Sequence, residues 1–169
     1  MNMNRKKVIY LLTALLGIST AQAAPVNNSQ SLYKDECASC HMAYPAWLLP
    51  ARSWKKIMSR LDLHFGDDAS LDPATLKTLT TYLLENSAKK SGVRRAKKIL
   101  RQTQQDTIPV RISELPYIRN KHDEIPNRLI KANPGVKSLG NCLACHQGAE
   151  QGSFNEHEVQ IPGYGRWDD

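Results

Sequence analysis

Beyond its first 23 residues the chain has no apolar run near the ~20 residues that a bilayer core requires, so no second membrane span can be drawn on it. No segment convincingly alternates apolar and polar residues as a half-buried strand does, and no strand–helix–strand unit can be traced. These absences argue against a sheet-based fold and against a thioredoxin-like thiol pair, which needs that unit around it. Thiols are scarce as well: the 169 residues hold four cysteines and five histidines. No internal repeat exists beyond one pentapeptide, and that pentapeptide consumes every cysteine.

The pentapeptide is Cys-x-x-Cys-His, at Cys37-Ala38-Ser39-Cys40-His41 and again at Cys142-Leu143-Ala144-Cys145-His146. In c-type attachment the two thiols of such a motif add to the vinyl groups of a haem, and the adjacent histidine binds the iron from one side. The sequence therefore predicts two covalently bound haems c, held by Cys37, Cys40 and His41 and by Cys142, Cys145 and His146. A structural zinc site can recruit two Cys-x-x-Cys pairs, but it does not need a histidine directly after both. Two disulfides are compatible with an oxidising compartment, yet they require neither the tight spacing nor the paired histidines.

The N-terminus points to that compartment. Asn4-Arg5-Lys6-Lys7 forms a basic n-region, Val8 to Leu16 is apolar, and Ala21-Gln22-Ala23 is a small-x-small cleavage signature, so residues 1–23 read as a secretory signal peptide. A retained anchor is the rival reading, and the short apolar run argues against it. Export and c-type attachment agree on a periplasmic location. Cleavage would remove Arg5, Lys6 and Lys7 with no acidic residue, taking the formal charge from +7 to +4. Haem propionates would offset much of the remainder, so the basic balance does not point to nucleic acid. Lys89-Lys90, Arg94-Arg95 and Lys97-Lys98 read better as a solvated helix face or a docking patch.

The periodicity is helical throughout, which predicts an all-α protein: a small multi-helix dihaem cytochrome with short helices, prolyl turns and long loops wrapped around two haems. A helix over Ser31 to His41 would present Cys37, Cys40 and His41 on one side. Trp54, Ile57, Met58 and Leu61 make an apolar stripe that His64 extends, and Gly66-Asp67-Asp68 breaks it. Asp72-Pro73 reads as N-cap and first helical position of a helix buried through Leu76, Leu79 and Leu83 and ending near Ser87 to Lys90. Ser91 would cap the next helix, which runs towards Gln105. Pro109, Pro116, Pro126 and Pro134 restrict residues 107–137 to short helical turns. A short helix over Ser138 to Gln147 would carry the second motif, and the Gly-rich tail after it reads as loose at its end. The motifs divide the chain into an N-terminal haem 1 half, 24–106, and a C-terminal haem 2 half, 107–169, within one compact unit.

The sixth ligand of each iron decides between a carrier and a site open to substrate. For haem 1 the choice is His64, because Ile57, Leu61 and His64 lie at i, i+4 and i+7; Met58 on the same stripe reads as core filling. For haem 2, His122 and His157 can both reach. The prolyl stiffening at Pro126 and the flanking carboxylates of Asp123 and Glu124 favour His122, while His157 lies in the tail.

The run from His41 through Met42-Ala43-Tyr44-Pro45-Ala46-Trp47 to Trp54 resembles the diheme cytochrome c family of bacterial periplasmic electron carriers. So do His64-Phe65-Gly66-Asp67-Asp68, the segment Lys121-His122-Asp123-Glu124-Ile125-Pro126, and the second motif with its tail. The resemblance implies a low-potential electron-transfer protein, both irons low-spin and histidine-ligated on both sides. It also implies two redox partners, a membrane b-type cytochrome as donor and a small oxygen-binding c-type cytochrome as acceptor. It leaves His122 and His157 as alternatives.

The function expected from these readings is electron transfer between redox proteins, without catalysis. A dihaem enzyme of the peroxidase or nitrogen-oxide reductase type, or a gas-binding haem protein, would need one iron with an open or displaceable position. Three spare histidines for two irons argue against an obligatory vacancy.

Overall fold

The computed structural model describes residues 28–167; the signal-peptide reading of residues 1–23 lies outside them. Six α-helices are present among the described residues: α1 Asn28–Cys37, α2 Ala51–Met58, α3 Pro73–Glu85, α4 Arg94–Gln102, α5 Pro116–Asn120 and α6 Asn127–Ile130. Short 3-10 turns lie between α1 and α2, α2 and α3, and α4 and α5, three more follow α6, and two two-residue strands, β1 Gln160–Ile161 and β2 Gly165–Arg166, pair as an antiparallel hairpin. None of the described helices is long and apolar enough to cross a membrane.

The larger core is built where helical periodicity is strongest. Pro50 is extended and starts α2, whose Trp54 and Met58 turn inward at i, i+4 while Lys55 and Lys56 stay in water. The Trp54 indole donates to the Ala46 carbonyl at 2.7 Å, so a buried N–H is satisfied in the same step that buries the ring. Asp72 caps α3 by accepting from the Ala74 and Thr75 amides, with Pro73 at the first helical position. Leu79 and Leu83 of that helix are completely enclosed, each worth about 1.5–3 kcal/mol against exposure. They meet α1 and α2, with Tyr33, Leu49, Ile99 and Leu115 in the same cluster. On α4, Ala96 and Ile99 face inward and the Arg94, Lys97 and Arg101 side chains face water.

The second core is much smaller: Leu129, Ile130, Val136, Val159 and Ile161, with Trp167 against it. Two of these five, Val159 and Ile161, come from the tail; the loose end expected of it falls on residues 168–169, outside the described residues. Asn133 donates to the Pro162 carbonyl, and the Gln160 amide donates to the Cys145 carbonyl, so the hairpin is strapped to the second motif. Gly163, at φ +71, makes the turn that lets β2 return.

Four local expectations are revised. α1 ends at Cys37, leaving Cys40 and His41 in the turn that follows. The second motif carries a 3-10 turn over Cys142–Ala144 instead of an α-helix. α2 stops at Met58, so His64 is not its continuation; it follows a 3-10 turn, Leu61–Leu63, and exchanges backbone hydrogen bonds with Asp67 across a tight turn. Ser91 lies before Val93, which takes the position preceding α4.

Candidate haem sites

At the first site α1 delivers Cys37 half-buried at its last residue, and the turn brings Cys40 and His41 to the surface. The His41 Nδ1–H is positioned to donate to the Met42 carbonyl at 2.7 Å. That bond fixes the tautomer and leaves Nε2 with a lone pair for a metal. His64 faces it, the two ring centroids 6.0 Å apart with planes inclined 35°. The tight turn through Phe65, at φ +55, and Gly66, at φ +114, makes this possible by turning the chain back immediately after His64. Phe65 packs edge-on against His64, and the Arg111 guanidinium lies 4.3 Å from the Phe65 ring centroid. Burial, and then the neighbouring His41, hold the His64 imidazole below its usual pKa.

The second site is a cavity of about 560 Å³, within the size range of small-molecule and cofactor sites. Cys142, Cys145 and His146 line one part of it, and His122, Leu129 and Val159 another. The rings of His122 and His146 stand 6.1 Å apart at 80°. The His122 Nδ1–H is held at 2.7 Å from the Ile118 carbonyl of α5, again leaving Nε2 free. That carbonyl orients the ring; Asp123 and Glu124, expected to do so, are exposed. Burial first, then His122 and Arg95, pull the His146 imidazole down to about 4, and its Nδ1 is enclosed without a hydrogen-bond partner. His157 also borders the cavity, but it is exposed and sits on a 3-10 turn whose Asn155 side chain accepts from its backbone amide.

The separations fit an iron between each pair. With a metal–imidazole bond of about 2 Å and a nitrogen about 1 Å from its ring centre, two imidazoles on opposite sides of one metal have centroids about 6 Å apart. Both pairs meet that distance. Among the described residues no three His, Cys, Asp or Glu side chains are gathered to hold a metal ion, so the two Cys-x-x-Cys pairs do not make a shared zinc site. Burial pushes the Cys37 and Cys142 thiols up to about 11, the opposite of what a redox-active thiol pair requires.

A profile of the dihaem cytochrome c family matches residues 33–154. The chain belongs to the dihaem cytochrome c family. A solved diheme cytochrome c from Shewanella baltica is 44% identical, covering 83% of this chain and 98% of its own, with a TM-score of 0.69. A diheme cytochrome c from Rhodobacter sphaeroides is 50% identical over 73% of this chain and 95% of its own, with a TM-score of 0.66. No curated protein matches. As a dihaem cytochrome c the chain carries two haems c on its two Cys-x-x-Cys-His motifs, and its function is haem-based electron transfer.

Sequence reading missed Tyr44 and Phe154. Phe154 packs edge-on against both Trp47 and His146, and Tyr44 stacks beside His41. Their aromatic character was the available signal, but it does not say that residues distant in the chain meet around a haem.

Proposed function

We propose that this dihaem cytochrome c is a periplasmic, low-potential electron carrier with both irons closed by two histidines: His41 and His64 on haem 1, His146 and His122 on haem 2. The observation that carries the proposal is the pair of imidazole separations, 6.0 and 6.1 Å, each with a ring whose Nδ1–H is held by a backbone carbonyl. When bound, the haem iron supplies a one-electron couple. The chain's own residues hold the imidazoles aimed, and histidine on both sides favours six ligands in both oxidation states and a lower potential than a histidine–methionine pair. Met42 and Met58 are buried in the polypeptide, consistent with roles in packing. The family resemblance suggests a membrane b-type cytochrome as electron donor and a small oxygen-binding c-type cytochrome as acceptor, and the exported location rests on the signal-like residues 1–23.

Carbon monoxide tests the closed irons. The ferrous holoprotein near neutral pH is expected to bind it slowly or not at all, and the ferric protein to give two low-spin paramagnetic resonance signals. Rapid stoichiometric binding at either iron would favour a dihaem enzyme or a gas-binding protein instead.

A further inference from the structure

Tyr44 stands between the two haem-attachment segments. Its ring lies against His41, centroids 4.9 Å apart and planes inclined 33°. Its hydroxyl donates to the Gly140 carbonyl at 2.7 Å, across 96 residues of chain. The same carbonyl accepts from the Cys142 amide at 3.0 Å. The tyrosine is itself held in place, because the Tyr33 hydroxyl, anchored in the larger core, donates to the Tyr44 carbonyl at 2.8 Å. Contacts and hydrogen bonds thus run without a gap from His41, through the Tyr44 ring and hydroxyl and the Gly140 carbonyl, to the first cysteine of the second motif. A Cβ at 140 would meet the Tyr44 hydroxyl at 3.6 Å and the Ser138 hydroxyl at 3.4 Å, ordinary van der Waals contact that leaves the link in place.

We propose that Tyr44 is the bridge through which the two haems exchange an electron. The proposal rests on His41 as an iron ligand of haem 1. In the exchange, one electron leaves the ferrous iron of one haem and reduces the ferric iron of the other. The phenol keeps its proton and its electrons throughout, and acts as the bonded medium between the imidazole and Cys142. Burial of the hydroxyl favours the protonated form that donates to Gly140. Tyr44 is a positioning and coupling residue, since it reaches each haem through another side chain.

A second aromatic connection supplies the control. Trp47 packs on Phe154 at 5.7 Å, and Phe154 on His146 at 5.5 Å, both edge-on. The measurement is two-dimensional exchange NMR on haem methyl resonances of the half-reduced holoprotein, which reads the rate of electron exchange within one molecule. Tyr44→Phe keeps the ring and removes the hydrogen bond; it is expected to slow the exchange several-fold, and Tyr44→Leu to slow it further. Phe154→Leu, which alters a contact of the haem 2 ligand His146, is expected to slow the exchange less than Tyr44→Leu. Optical spectra and both haem potentials should stay at their native values in Tyr44→Phe, which a merely structural disturbance would move. An unchanged exchange rate in Tyr44→Phe with native spectra overturns the bridge, as does a loss confined to Phe154→Leu. A native protein whose low-spin signal at haem 1 survives His41→Ala would instead remove the ligand reading beneath it.

Discussion

The two haem sites are made in opposite ways. Site 1 lies at the edge of a core that α1, α2 and α3 build from their own apolar faces, with Leu49, Leu79 and Leu83 enclosed before any cofactor is considered. Site 2 lies inside a cavity whose walls draw on residues from Trp47 to Trp167, beside a core of five buried side chains. The cysteines differ less: Cys40 is exposed, and Cys37, Cys142 and Cys145 are all half-buried. One haem is added to a folded unit; the other replaces a core that the polypeptide does not supply.

Removing the cofactor from each site in turn gives the strongest test of this contrast. Without its haem, a cavity of 560 Å³ leaves Leu129, Ile130, Val136, Val159 and Ile161 with too little apolar surface to pack against. Cys142→Ser with Cys145→Ser should therefore abolish amide-exchange protection across residues 125–167 while α2 and α3 stay protected. Cys37→Ser with Cys40→Ser should leave α3 and α4 protected. Equal loss of protection in the two variants would break the comparison.

Ligand removal is the next largest effect. His64→Ala should turn haem 1 alone high-spin or water-ligated, and His122→Ala should do so to haem 2 alone and raise its potential, both read by paramagnetic resonance. His157→Ala should leave both spin states unaltered. A high-spin haem 2 in His157→Ala alone would move the ligand to the tail and leave His122 as a ring held by Ile118.

Leu79→Ala addresses the polypeptide core of site 1. It should cost about 2–5 kcal/mol in denaturant unfolding while both haem spectra stay native, because the side chain is enclosed among helices rather than at a haem. A shifted haem 2 spectrum in this variant would show that the two halves are one packing unit. The smallest effect is expected from Asp72→Ala, about 1 kcal/mol, through loss of the cap on α3.

How far the sequence could be read follows the same division. Cap and stripe signals are local, so Asp72-Pro73, Leu79 with Leu83, and Trp54 with Met58 were legible as a helix start and two buried faces. The attachment motifs were legible because their chemistry is written in five consecutive residues. The stripe argument for His64 named the residue that faces His41 but supposed a helix where the chain turns. The C-terminal hairpin escaped because each strand has two residues, too few for any alternation to register. The contact between Tyr44 and Gly140 escaped for a different reason: nothing near either residue encodes a partner 96 positions away.

The hydrogen bond from the Gln160 amide to the Cys145 carbonyl bears on timing. The strap over site 2 follows the second motif in the chain, and the cavity wall also includes Trp47 and Leu48, about a hundred residues earlier. Contacts so remote in sequence form slowly, because loop-closure entropy opposes them until the ends meet. The hairpin is therefore expected to be among the last parts of site 2 to close over the second Cys-x-x-Cys-His.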